Sequence, residues 1–405
     1  MKILIYGINY TPELTGIGKY TGEMGAWFAK NNKVDVITAM PYYPNWKKAD
    51  NYKGKLWFKE IIANATVKRC PLYVPENVTG ASRMIHEFSF LLSSFFYWFG
   101  AFFKSYDVIL TPYPPLIIGV WPWIYTLFHP KTKWVFHIQD LQVDAARELG
   151  LIKNKKLLSV LATTESFWLK KATYVSSISP GMKTRILSKG VPETKYLMLP
   201  NWAETDYVKP LSKSQSMRAE LGIDPEKKVV LYSGNLGEKQ GVDMIIDAAF
   251  ELKERTDVLF VIAGEGASKT RLKEYAHTKN LNNIHFLALQ PYNKLAAFLA
   301  IANVHLVLQK KSAADLVLPS KFMSILSAGG VAVVTAEPNT SLYELVDANK
   351  VGYICEPENL SAFTSTLQHV LNTDSSEVSV NARSYAEKHL SIDGILSPFE
   401  QAIRS

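Results

Sequence analysis

The residue types best suited to chemistry stand where apolar runs give way to polar loops. Val229-Val230-Leu231-Tyr232 has the pattern of a buried strand and leads into Ser233-Gly234-Asn235-Leu236-Gly237-Glu238-Lys239-Gln240-Gly241. Apolar residues then recur at Val242, Ile245, Ile246 and Ala249, which is helical spacing. Strand, glycine loop and helix in that order offer backbone amides and a positive helix end to a phosphate or diphosphate, and Lys239 adds a point charge. Glycines also serve turn geometry alone, so this loop leaves both readings open. A second group lies where Trp134–Ile138, a predicted strand, runs out into Gln139-Asp140. His137 and Asp140 stand near its carboxyl end, where catalytic groups of open α/β sheets gather. A lone histidine there also serves as a hydrogen-bonded core residue.

A third group mixes aromatics with lysines: Met40-Pro41-Tyr42-Tyr43-Pro44-Asn45-Trp46-Lys47-Lys48, then Tyr52, Lys53, Lys55 and Trp57. Rings at headgroup depth beside lysines suit an anionic membrane interface. They also suit single-stranded nucleic acid, or a loop packed on its own domain. From Phe88 to Phe103 an uncharged, Phe-rich helix is expected, read as a core helix with a lipid-facing one as the alternative. It falls short of the ~18–20 residues a span requires, and prolines at 112, 114, 115 and 122 break the next apolar stretch into strand, turn and helix. No spanning helix and no signal peptide are expected.

The elements that must carry these groups alternate as strand and helix. Lys2–Tyr6, a loop with Gly16-Ile17-Gly18, a helix through Met24 and Trp27, and Val34–Thr38 open one α/β unit. Further strands are expected at Val108–Leu110 and Tyr174–Ser177. After a polar stretch, Lys209 to Glu226, read as a linker, the alternation resumes at Val229–Tyr232, Val258–Ala263, Ile284–Leu287, Val304–Leu308, Val331–Thr335 and Gly352–Cys355. A chain of 405 residues is long for one core, so two domains are expected. Net charge of +8 favours an anionic partner, yet the charge is spread rather than gathered in a nucleic-acid module, so no nucleic acid is expected. Cys70 and Cys355 are far apart with no metal-ligand spacing, and no Asp-x-Asp occurs, so no metal or other cofactor is signalled.

Six motifs in order give the chain its resemblance: Tyr10-Thr11-Pro12-Glu13-Leu14-Thr15-Gly16-Ile17-Gly18, Ser177-Ile178-Ser179-Pro180-Gly181, Leu199-Pro200-Asn201-Trp202, the Gly234 loop, Gly264-Glu265-Gly266 and Phe286-Leu287-Ala288. Together they resemble the family 4 retaining glycosyltransferases, and within them the branch of a colanic acid biosynthesis fucosyltransferase. The resemblance implies an α/β GT-B architecture, two facing Rossmann-like domains with a deep interdomain cleft. It places an acceptor domain at 1–200, a donor domain at 201–390, and a final helix at about 391–405 packed back on the first domain. It implies transfer of fucose or another hexose from a GDP- or UDP-linked sugar to a lipid-linked saccharide, in capsule, exopolysaccharide or O-antigen assembly. The enzyme would be cytoplasmic, metal-independent and peripheral to the inner membrane.

By the same resemblance Gly234, Asn235, Gly237, Lys239, Gln240, Gly264, Glu265, Leu289, Asp315, Ser320 and Lys321 bind the donor. His137 meets the transferred sugar, Asp140 orients it or the acceptor, and Gly16, Ile17 and Gly18 form the acceptor-side loop. Tyr42, Tyr43, Trp46, Lys47, Lys48 and Trp57 meet the membrane. The sequence departs from the family at Asn235 and Gln240, where Arg and Lys are usual, and at Leu316 and Ser324, where glutamates are usual. A sugar-nucleotide epimerase and an inactive nucleotide-sugar-binding scaffold are the competing readings.

Overall fold

The computed structural model describes the chain apart from residues 14–15, 149–151, 153, 238–240, 267 and 312–318. It divides into two units: Met1–Asn201 with Pro398–Ser405, and Trp202–Ser397. The first is built on strands β1 (Lys2–Tyr6), β2 (Lys33–Ala39), β3 (Phe58–Ile62), β4 (Ala65–Cys70), β5 (Val108–Tyr113), β6 (Lys133–Ile138), β7 (Tyr174–Ser177) and β8 (Tyr196–Met198). Their order is β3-β4-β2-β1-β5-β6-β7-β8, parallel except for the β3–β4 hairpin. The second unit holds β9 (Lys228–Ser233), β10 (Val258–Ala263), β11 (Ile284–Leu287), β12 (Val304–Val307), β13 (Ala332–Thr335) and β14 (Tyr353–Cys355). Its all-parallel order is β11-β10-β9-β12-β13-β14. Strand order reverses beside β1 in one sheet and beside β9 in the other, so each is a Rossmann-like sheet with its ligand-binding switch point there.

The parallel strands read as nearly unbroken apolar runs because helices cover both faces. β1, β5 and β10 are buried along almost their whole length. The final helix, Ile392–Arg404, is fastened to the first unit at its end: Asn32 Nδ2 donates to Glu400 Oε1 at 2.9 Å and Lys133 Nζ to the Ile403 carbonyl at 3.2 Å.

Three expectations require correction. Residues 209–226 are not a linker but part of the second unit. There Arg218 is buried and donates to the carbonyls of Ile301, Pro225 and Lys227 and to Asn303 Oδ1, while Met217 and Ile223 enter the core. The hairpin β3–β4 was not expected. Its two-residue turn uses Ala63 (φ 47°) and Asn64 (φ 66°) where Asn-Gly would have announced it.

The Phe-rich helix is not a core helix on all sides. It begins eight residues earlier, spanning Gly80–Ala101, with Thr79 as a capping-box residue. Phe90, Ser94, Trp98 and Ala101 face the core, whereas Phe88, Leu92, Phe96 and Phe99 are exposed. Among the described residues, no helix is long and apolar enough to cross a membrane.

Candidate functional sites

In the first unit a cavity of about 350 Å³ opens at the carboxyl ends of β1, β2, β5 and β6. Ile8 and Asn9 leave β1, Pro114 and Pro115 follow β5, and Gln139 and Asp140 follow β6. Gly16, Ile17 and Tyr20 come from the helix Gly16–Phe28. Arg83, His86 and Glu87 come from the first turns of the Gly80–Ala101 helix, and Tyr42, Tyr43 and Trp46 from the loop after β2. The carboxylates of Glu87 and Asp140, the amides of Asn9 and Gln139, the Arg83 guanidinium and the aromatic walls suit a polyhydroxylated ligand with apolar ring faces.

The loop after β2 is held from beneath by Glu13. Its buried carboxylate accepts the backbone amides of Tyr42 and Tyr43, each at 3.0 Å, and Asn9 Nδ2 at 2.9 Å. Burial raises this carboxyl, and those three hydrogen bonds oppose the rise. Gly18 makes the arrangement possible, since a Cβ there would lie 2.6 Å from Glu13 Oε2. Gly16 and Ile17 line the cavity; Gly18 does not, and its role is to admit Glu13. Arg69, fully buried on β4, ties the floor together by donating to the carbonyls of Ala39 and Thr11 and to Glu60. Sequence reasoning missed Glu13 and Arg69 as site supports; the signal for Arg69 was a charged residue inside an alternating strand.

His137 is not among the residues that line the cavity, contrary to expectation. It is buried within β6, with Nδ1 2.9 Å from Ser176 Oγ and Nε2 2.8 Å from Gln139 Nε2. An amide nitrogen only donates, so Nε2 accepts from Gln139 and Nδ1–H donates to Ser176. Burial drives the imidazolium down to about 3, so the ring is neutral and positions the Gln139 amide. Asp140 does line the cavity; partial burial raises its carboxyl and the Arg83 guanidinium opposes this.

His86 reaches the cavity where sequence gave no warning. Its Nδ1 lies against the Tyr73 carbonyl, its ring packs 4.5 Å from the Tyr42 ring and 5.1 Å from that of Trp46, and its buried Nε2 has no hydrogen-bond partner. Nδ1 therefore carries the proton, and Nε2 is an acceptor without a donor.

The membrane set is divided by the structure. Tyr42 is buried and Trp46 half-buried in the cavity wall, so this part of the loop builds the cavity rather than a lipid face. Tyr43 lines the cavity while partly exposed, Lys47 is exposed and Lys48 half-buried. Trp57 is exposed, its Nε1 donating to the Ser93 carbonyl at 2.8 Å.

In the second unit, the loops after β9 and β10 are laced together. Gly234 N donates to the Ala263 carbonyl at 3.0 Å and Leu236 N to that of Glu265 at 2.9 Å. A Cβ on Gly264 would lie 1.9 Å from the Gly234 carbonyl oxygen, a contact no side chain could make. Beside them the helix Ser320–Ser327 starts after Pro319. Lys321 Nζ sits over the Tyr232 ring, 4.2 Å from its centroid, and a Cβ on Gly234 would lie 3.7 Å from it. No carboxylate pairs with Lys321 among the described residues, and burial lowers its ammonium to about 8.

Ser320 is exposed at the helix start, as is Asn235 in the loop, with Gly237 beside it. Glu265 does not stand free for a ligand: its carboxylate is 2.6 Å from Lys269 Nζ. Leu289 is exposed. Lys239, Gln240 and Asp315 lie outside the described residues.

Two Rossmann-like units with these loops at their switch points are the fold of the GT-B glycosyltransferases. In overall fold the chain is similar to sucrose-phosphate synthase from Thermosynechococcus elongatus (TM-score 0.71, 17% identity, covering 100% of this chain and 98% of that one). It is also similar to Anabaena Alr3699/HepE in complex with UDP (TM-score 0.70, 14% identity, 100% of both chains). Residues 15–202 match the glycosyl transferase 4-like domain and residues 213–389 the glycosyl transferases group 1 domain. The chain is 40% identical, over the full length of both, to the putative colanic acid biosynthesis glycosyl transferase WcaI of Escherichia coli (strain K12). It is 22% identical over 74% of both chains to the probable glycosyltransferase WbjE of Pseudomonas aeruginosa. The chain belongs to the family 4 glycosyltransferases.

Proposed function

We propose that this glycosyltransferase moves a hexosyl group, fucose or another hexose, from a GDP- or UDP-linked sugar to a lipid-linked saccharide. Transfer would proceed with retention at the anomeric carbon and without a metal. The observation that carries the donor half is Lys321, an ammonium held over Tyr232 at the mouth of the Gly234 loop, without a carboxylate partner among the described residues. A leaving diphosphate gathers negative charge as the glycosidic bond breaks, and a preorganised cation with helix-start amides meets that demand. The HepE structures hold UDP and UDP-glucose, which supports a nucleotide-sugar donor for this fold. The acceptor half rests on the first-unit cavity, where Asp140, Gln139, Arg83 and His86 offer hydrogen bonds between the Tyr42 and Trp46 rings. The WcaI relative's name supports a place in colanic acid or a related surface polysaccharide.

A thermal-shift panel of UDP-, GDP- and dTDP-sugars tests this, because a ligand that binds only the folded state raises the melting temperature by mass action. One donor class should raise it, and should then label a lipid extract. Isomerised nucleotide-sugar formed without acceptor would replace this reading with an epimerase, and binding without transfer or isomerisation with a scaffold.

A further inference from the structure

The outward stripe of the Gly80–Ala101 helix has no counterpart in the protein interior. Phe88, Leu92, Phe95, Phe96 and Phe99 recur at three- and four-residue spacing, so they share one face, and Leu92 is 70% and Phe96 62% exposed. Phe103, just beyond the helix, is 79% exposed. At about 200 Å² per ring, the exposed phenylalanines of this stripe together with Phe103 present roughly 600 Å² of apolar surface, the upper end of what monomers commonly show.

Neighbouring elements extend the patch rather than cover it. The Trp57 ring lies 5.6 Å from Phe96, and Trp121 lies 5.1 Å from Phe95. Trp121 Nε1 donates to the Leu91 carbonyl at 3.0 Å, fixing the second aromatic helix, Val120–Phe128, alongside. That helix ends in exposed Leu127 and Phe128, and Phe128 meets Phe102 at 6.2 Å.

Charge decides what such a surface fits. Residues 88–103 and 116–128 contain no charged side chain; they are flanked by Glu87, which faces the cavity, by Lys104, by Asp107, which accepts the Lys2 amide, and by Lys131 and Lys133. Lys59 and Lys104 border a groove against Trp57 and Phe96. A flat aromatic ridge with lysines at its margin matches acyl chains beneath anionic headgroups. A twofold contact between two copies would set the same lysine margins against each other.

We propose that this face, and not the loop after β2, seats the protein on an anionic lipid bilayer, with the Gly80–Ala101 helix lying in the plane of the interface. Its opposite side stays in the core through Phe90, Ser94 and Trp98, which excludes a spanning orientation. The first turns of the same helix carry Arg83, His86 and Glu87 into the acceptor cavity, so docking holds that cavity beside the lipid surface. The purpose of the surface rests on the lipid-linked acceptor reading; its existence does not.

Co-sedimentation of the full chain with vesicles tests it, comparing phosphatidylcholine alone with phosphatidylcholine containing roughly one-third phosphatidylglycerol. The wild-type chain should sediment with the anionic vesicles, less so as salt rises. The variant Phe88→Ser/Leu92→Ser/Phe96→Ser/Phe99→Ser should lose at least tenfold in partitioning while keeping its melting temperature, since these rings leave no core cavity behind. Lys59→Ser/Lys104→Ser/Lys131→Ser should lose the preference for anionic vesicles and the salt dependence. Wild-type protein left in the supernatant, or a four-serine variant that sediments as well as wild type, overturns the proposal. So does a dimer in light scattering that the four serines dissolve. Vesicle binding lost on the four-serine changes, in a chain that answers no nucleotide-sugar, would keep this surface and remove the transfer reading.

Discussion

The Gln139 side-chain amide donates to His137 Nε2 at 2.8 Å, and this bond fixes which residue of the pair meets the cavity. His137 is the buried anchor and Gln139 the presented group. Replacing His137 by Phe removes the acceptor and frees the Gln139 amide to turn. Transfer should fall about tenfold, the cost of roughly one misplaced hydrogen bond, with donor affinity unchanged. Initial-rate measurements with saturating donor give the check. A pH–rate step near 6.5 that disappears in the variant would mean His137 titrates, contrary to its burial.

The same burial makes the fold acid-sensitive. His137 and His305 are both held down to about 3, from an ordinary value of 6.5. Between those limits the unfolded chain binds protons that the native chain refuses, so stability falls as pH drops through 6.5 toward 3. The slope reaches up to about 1.4 kcal/mol per pH unit for each histidine. Urea midpoints between pH 7 and pH 4 should therefore decline, and more shallowly in His305→Phe.

Lys321 predicts a pH dependence of the same origin in a more alkaline window. Its ammonium titrates near 8, below the ordinary 10.5, because burial disfavours the charge. Below pH 8 the native chain carries a charge it would rather lose, and that cost lifts as pH rises from 8 toward 10.5. Lys321→Met should thus raise the melting temperature of the ligand-free protein at pH 7. A bound diphosphate restores the proton, so nucleoside-diphosphate affinity should weaken as pH climbs through 8, and in Lys321→Met it should be about 10- to 100-fold lower and flat with pH. Isothermal titration in two buffers of different ionisation heat would register the proton uptake.

Both Rossmann-like sheets were legible because a parallel strand buried on two faces is written as a continuous apolar run, as in β9 and β10. The hairpin β3–β4 was not, since β4 buries two charged residues, Lys68 and Arg69, where an apolar run would announce a strand, and its turn lacks glycine. Gly16-Ile17-Gly18 announced a site, but sequence could not say that Gly18 makes room for a carboxylate while Gly16 and Ile17 line the cavity. His137 and Gln139 illustrate the same limit: residues two apart share a face along a strand, and Gln139 reaches the cavity only because the strand ends at Ile138, which leaves His137 inside the sheet. Phe88 to Phe99 were apolar at helical spacing, and periodicity does not distinguish a stripe that meets the core from one left exposed.

His86 yields the sharpest test of the proposal that the first-unit cavity takes the acceptor. Its Nδ1–H is held by the Tyr73 carbonyl, its ring is wedged against Tyr42 and Trp46, and its Nε2 is buried without a donor. A buried acceptor left unsatisfied costs about 1–3 kcal/mol, and a sugar hydroxyl that donates to it recovers that cost on binding. His86→Phe keeps the ring stacking and removes the acceptor, though it also strands the Tyr73 carbonyl. The KM for acceptor should rise tenfold or more while the KM for nucleotide-sugar stays within twofold. Asn at this position retains an acceptor atom without the ring and should recover part of the loss. Equal changes in both KM values would show that the substitution disturbs the unit as a whole rather than one hydroxyl contact.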